Sequence, residues 1–196
     1  MKKNFFNVFI FATSLFLAGT AGAESKEGCV IAGPSSAPVT IEEYVDFECG
    51  YCEKASSTMK KILRDYQGKV KLVLRNLPLP SHANSEIAAR AFVAVWLQDS
   101  AMAYDFQERV FANQNRLSSE GQSFLMEVAK SLGLDPARVT SDMNSDQVTK
   151  ILADDKKLAE KYGFKGTPSF RIGKESVVGA RPYSNYKAII DRQLGN

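Results

Sequence analysis

The stretch that most constrains this chain is Phe47-Glu48-Cys49-Gly50-Tyr51-Cys52, which holds two of the three cysteines. It falls just after an apolar run and just before a helical pattern. Two cysteines at this spacing on the first turn of a helix can close a small disulfide ring. The first sulfur then faces the unsatisfied N–H groups and positive end of the helix, which stabilise its thiolate. Cys52 lies one turn further in, shielded, and is placed to attack a mixed disulfide formed by Cys49. The spacing therefore reads as a redox dithiol, with Cys49 the nucleophile and Cys52 the resolving thiol.

The chain opens with Lys2 and Lys3, continues through an apolar segment from Phe5 to Ala18 and reaches Ala21-Gly22-Ala23. That order fits a secretory signal peptide over residues 1–23 with cleavage before Glu24. A spanning helix needs about 20 apolar residues, and this run is shorter and is interrupted by Asn7. The expectation is an exported, soluble protein, periplasmic if the source is a Gram-negative bacterium. Residues 24–196 then make one domain of ordinary size. The formal charge of +3 is spread among mixed acids and bases, so the pattern gives no reason to invoke nucleic acid. Three cysteines are too few for a disulfide scaffold and point to one functional pair plus one further thiol, Cys29.

Val39 to Phe47 is nearly continuous in Val, Ile, Tyr and Phe, as suits a central strand covered on both faces, and Glu42 and Glu43 are out of place in it. From Lys54, Ala55, Met59, Ile62, Leu63 and Tyr66 recur at helical spacing before Gly68, and Lys69 to Leu77 is a second strand. Strand, helix and strand make a parallel right-handed crossover. After Pro78 and Pro80 the texture is helical. Ile87 to Leu97 is apolar save Arg90 and must be buried on most sides. Ala101 to Ala112 follows, Ser119-Glu120-Gly121-Gln122 resembles a capping box, Asp135-Pro136 caps another helix, and Asn144 to Tyr162 is a long amphipathic one. Strands return at Ser169 to Ile172 and Ser176 to Val178 as a hairpin, and Tyr183 to Leu194 is a terminal helix.

Four segments carry a family resemblance: Ala37-Pro38-Val39-Thr40-Ile41, Asp46 to Cys52, Leu77-Pro78-Leu79-Pro80 and Gly166-Thr167-Pro168-Ser169-Phe170. The chain resembles a DsbA-like thiol-disulfide oxidoreductase of the thioredoxin-fold superfamily. The fold class implied is α/β, a thioredoxin-like fold with a helical block at about residues 81–162 inserted between its βαβ and ββα halves. The resemblance implies a cis Thr167–Pro168 peptide facing the disulfide, with Thr167, Pro168, Gly50 and Tyr51 forming the substrate groove. It also implies no cofactor and no metal. Glu43 stands where related folds carry a buried acid beneath the active site. A carboxyl buried there has a raised pKa and is the candidate proton relay to Cys52, against the alternative that it reaches solvent at the end of the sheet.

Strong oxidants of this family carry Pro-His between the cysteines, whereas Gly50-Tyr51 and the threonine before the proline resemble a DsbC-like isomerase. Loss of a thiolate-stabilising contact makes a weaker oxidant than DsbA the expectation. The implied function is disulfide exchange with cysteine pairs of secreted proteins, with a membrane redox partner. That partner is a quinone-linked oxidase if the protein oxidises, or a thiol reductase if it works as an isomerase or reductase. Two readings of other classes stand beside it: a zinc module using Cys29, Cys49, Cys52 and His82, and a chaperone that uses the groove without turnover. For Cys29 three readings stand, pairing between chains, regulation, or a buried residue of the first strand, the last being the commonest fate of an unpaired cysteine, and His82, opening a helix after a Pro-rich turn, reads as a local contact.

Overall fold

The computed structural model describes residues 28–195; the signal-peptide reading of residues 1–23 lies outside them. The described residues form a five-stranded sheet in the order β1-β3-β2-β4-β5. Its strands are β1 (Cys29–Ala32), β2 (Val39–Val45), β3 (Val70–Asn76), β4 (Ser169–Ile172) and β5 (Glu175–Val178). β2 and β3 run parallel, in register from Val39 opposite Val70 to Val45 opposite Asn76. Helix α1 (Gly50–Asp65) makes the crossover between them. The other pairings are antiparallel, and β4 and β5 form the expected hairpin.

Side chains alternate across a strand, and on β2 that alternation separates two environments. Ile41, Glu43 and Val45 face α1 and the terminal helix α8 (Tyr183–Leu194), whereas Glu42 and Tyr44 face the opposite layer. On α1 the buried positions Cys52, Ala55, Ser56, Met59 and Ile62 follow helical spacing and form one stripe on the sheet. In the opposite layer Tyr44 packs edge-on against Phe164, with ring centroids 5.0 Å apart. The two acids that disturb the strand pattern thus have different fates. Glu42 pairs with Arg75 at 2.9 Å, while Glu43 is fully buried.

Between β3 and β4 the chain inserts α2 (Ser85–Gln98), α3 (Ala103–Phe111), α4 (Gln114–Glu120), α5 (Gln122–Ser131), α6 (Pro136–Asp142) and α7 (Asp146–Lys161). Ala91 to Val95 of α2 are all buried, as an apolar run without a polar face requires. The sequence pattern is modified in two places. Ser100–Met102 forms a 3₁₀ turn ahead of α3 rather than part of it. Ser119 does not open a helix but closes α4, its hydroxyl donating to the Asn115 carbonyl at 3.0 Å. The break falls at Gly121, whose φ of +55° suits glycine, and α5 starts there without a side-chain cap. Asp135 does cap α6, accepting from the Ala137 N–H at 2.9 Å.

Helix α7 is tied to β3 through a buried polar cluster. Asp155 accepts from Arg75 Nη1 at 3.1 Å, from the Asn76 N–H at 2.9 Å and from Asn76 Nδ2 at 3.1 Å. Arg75 and Asp155 are both buried, so this pairing fixes which face of α7 meets the sheet.

Candidate active site

Cys49 is the N-cap of α1, with extended backbone angles, and its carbonyl accepts the first helical bond from the Cys52 N–H at 2.9 Å. Both active-site sulfurs are free thiols. Cys49 retains 8% of its surface and Cys52 none, so of the two only Cys49 touches solvent. Their acidities diverge in the same sense. The Cys49 pKa is lowered to about 5, chiefly by the hydrogen bond from Cys52; burial opposes this, while Thr167 and the backbone N–H groups of Cys52 and Tyr51 assist. Burial first, and then the bond to Cys49, raise Cys52 far above the ordinary thiol value.

The chain opposite the cysteines is Gly166 to Ser169. The Thr167–Pro168 peptide is cis, and the Thr167 carbonyl accepts from Cys49 Sγ at 3.4 Å. The Pro168 carbonyl accepts from the Gly179 N–H at 2.8 Å, which ties this loop to the end of β5. Gly50 is exposed, and the Tyr51 ring is 64% exposed beside the cysteines, with Lys54 Nζ 5.2 Å from its centroid. Cys49, Cys52, Thr167, Pro168, Gly50 and Tyr51 are therefore gathered at one end of the sheet.

Glu43 lies within the layer covered by α1 and does not reach solvent. Neither carboxyl oxygen has a hydrogen-bond partner among the described residues. Burial, reinforced by the nearby Glu108 carboxylate, raises its pKa to about 8, so it holds a proton at neutral pH. Glu108 itself, on α3, accepts from the Ser56 hydroxyl and pairs with Lys60.

Several residues that frame the site carry no signal in the sequence. Gln114 Nε2 of α4 donates to the Phe47 carbonyl at 2.8 Å and to the Cys49 carbonyl at 3.1 Å. The Glu48 carboxylate accepts from the Asn84 N–H at 2.6 Å and the Ser118 hydroxyl at 3.0 Å. Phe47 packs between Phe92 and Phe111, with centroids at 5.5 and 5.3 Å. The inserted helices thus clamp the segment that presents Cys49. Asp46, buried, accepts from the Glu48 N–H at 2.8 Å and the Leu79 N–H at 2.7 Å, and His82 Nδ1 lies 3.0 Å from its Oδ2. His82 thus makes a local contact, as its position in the turn implies.

Cys29 is fully buried in β1 opposite Leu74. Among the described residues no group of three or more His, Cys, Asp or Glu side chains is arranged to hold a metal ion, so Cys29, Cys49, Cys52 and His82 are not gathered into the zinc set that their count allowed. No helix of the described residues is long and apolar enough to cross a membrane.

Comparison with known proteins agrees with this geometry. A family model described as thioredoxin matches residues 25–192. Disulfide bond formation protein D of Bacillus subtilis is 26% identical, over 89% of this chain and 81% of that protein. The crystal structure of oxidised BdbD from Bacillus subtilis superimposes with a TM-score of 0.78 at 26% identity, covering 88% of this chain and 96% of the other. The Na(+)/H(+) antiporter NhaA of Herminiimonas arsenicoxydans is 31% identical over 82% of this chain, but the match spans only 25% of the antiporter's length.

Proposed function

Starting from the chain's membership of the thioredoxin family, we propose that it is a thiol-disulfide oxidoreductase that exchanges disulfides with cysteine pairs of secreted proteins through Cys49 and Cys52. The observation that carries this reading is the divergence of the two thiols at one helix start: Cys49 partly accessible with its pKa lowered to about 5, Cys52 buried with its pKa raised.

In the oxidising direction a client thiolate attacks Cys49 Sγ of the Cys49–Cys52 disulfide. The S–S bond breaks as the mixed disulfide forms, and the sulfur of Cys52 leaves. Its high proton affinity demands a proton, and the buried Glu43, protonated at neutral pH, is the candidate to supply it. A second client thiolate then attacks the client sulfur and expels Cys49 as a thiolate, a good leaving group because its pKa is low. The client loses two electrons and the pair gains them, so turnover in this direction requires an oxidising membrane partner. Thr167, Pro168, Gly50 and Tyr51 form the surface on which the client segment lies. Export is part of this proposal, and Lys2, Lys3, the apolar run Phe5 to Ala18 and Ala21-Gly22-Ala23 support it.

The Cys49 value also bears on direction. The lowered pKa marks a stabilised thiolate, and a more stable thiolate makes a more oxidising couple. The reading favoured is an oxidant weaker than DsbA. The Gly50-Tyr51 dipeptide favours the second reading, an isomerase or reductase kept reduced by its partner.

Trapping tests the mechanism. Cys52→Ala, mixed with a peptide carrying an activated disulfide, is expected to accumulate a mixed disulfide through Cys49, whereas Cys49→Ala with Cys52 intact forms none. Capture at Cys52 in place of Cys49 would overturn the assignment.

A further inference from the structure

His82 is the chain's sole histidine, and the exchange mechanism above does not use it. It sits in the turn between β3 and α2, pinned at both backbone ends: its N–H donates to the Leu79 carbonyl at 3.0 Å, and its carbonyl accepts from the Ser85 hydroxyl at 3.1 Å. The imidazole is therefore held in place although its side chain is 29% exposed, and Nδ1 stays 3.0 Å from Oδ2 of the buried Asp46. Asp46 is three residues before Cys49, and its backbone carbonyl accepts from the Cys49 N–H at 3.1 Å. A carboxylate in that position repels a thiolate on Cys49 unless a cation offsets it. At low local dielectric such a repulsion is much stronger than in water.

The geometry points to Asp46 and His82 as a charge pair that sets the stability of the Cys49 thiolate: protonated His82 offsets the Asp46 carboxylate three residues before the nucleophile, and neutral His82 leaves that carboxylate opposing it. His82 is a positioning residue in this sense, acting through Asp46 and not by contact with the reacting sulfur. The inference rests on the proposed role of Cys49 as the redox nucleophile. The groups facing the imidazole are Asp46, Glu48 and Cys49, all of which raise its pKa, with the Asp46 carboxylate 3.0 Å away first and burial opposing. The cation is therefore present below that raised value and is lost as pH rises through it.

Linkage makes the proposal testable from both sides, because a coupling between two sites is reciprocal. Oxidation of Cys49 and Cys52 removes the thiolate, so the His82 imidazole, followed by NMR as the single histidine, should titrate at lower pH in the oxidised protein than in the reduced one. In the reduced protein His82→Gln should raise the pKa of Cys49, read from the pH profile of alkylation, by roughly half to one pH unit. Adding Asp46→Asn to that variant should bring it back, because the opposing charge is then gone. Rescue by the second substitution is not expected of a merely structural histidine. Equal His82 titration in the two redox states, or an unchanged Cys49 profile in His82→Gln, would overturn the proposal. Failure of the redox reading is separately visible, as absence of a Cys49–Cys52 disulfide in the oxidised sample.

Discussion

Cys49 and Cys52 share a helical turn yet differ in nearly everything that governs a thiol. Their spacing and the helix start were legible from residues, because an N-terminal dipole favours the first sulfur whatever surrounds it. The Cys52 thiol beside it, the main cause of the lowered Cys49 pKa, acts through the folded arrangement and has no signature in the sequence. Glu43 was legible as an acid in an apolar strand, but strand periodicity alone did not say whether Glu42 or Glu43 faced the helix bearing the cysteines. The structure separates them, Glu42 to Arg75 and Glu43 to a site with no hydrogen-bond partner for its carboxyl. Glu43→Gln is expected to slow departure and resolution at Cys52 by about a hundredfold, the low side of what a positioned acid-base group contributes. Stopped-flow exchange across pH tests this, and rates equal to the parent at every pH would sink the relay. The same substitution has a stability signature. With the folded pKa raised to about 8 from an ordinary 4.5, stability tied to the neutral acid is present below the ordinary value and is lost as pH rises through about 8. Urea denaturation should therefore show Glu43→Gln gaining on the parent between pH 5 and pH 9.

Among the elements, α1, α2 and α8 followed from periodicity because each buries a stripe or run, and the β4–β5 hairpin from the Gly173-Lys174-Glu175 turn between two short runs. Helix α4 did not, since of its residues only Leu117 is buried and a polar segment of that length has no stripe to read. Yet α4 carries Gln114, which holds the carbonyls of Phe47 and Cys49. The attachment of α7 to β3 was equally silent in sequence, because Arg75 and Asp155 lie far apart in the chain and either alone reads as a surface charge. Asp155→Ala removes the acceptor of three hydrogen bonds from Arg75 and Asn76. Breaking a buried pair of this kind costs about 3 to 5 kcal/mol, to be read from the shift of the urea midpoint. A shift corresponding to under about 1 kcal/mol would show that the cluster does not fasten the helix.

At the scale of the whole molecule, a thioredoxin-like sheet delivers Cys49 from one side and Thr167–Pro168 from the other, and the inserted helices clamp the loop between β2 and α1. The family-like segments lie where these parts meet, which is why a few short motifs sufficed to read the architecture. Cys29 lies in the sheet's first strand, and among the described residues no zinc ligand set is gathered; the proposed function rests on the Cys49–Cys52 pair. Its most direct test is the equilibrium of that pair with glutathione, quenched by alkylation and read by mass spectrometry. The expected result is a two-electron couple more negative than about −120 mV for DsbA but above about −180 mV for protein disulfide isomerase, with Cys29 reduced throughout. A pair that forms no Cys49–Cys52 disulfide at any glutathione ratio would contradict the proposed function. A potential at or below about −180 mV, the protein disulfide isomerase value, would contradict the oxidising direction assigned to it and favour the isomerase or reductase reading.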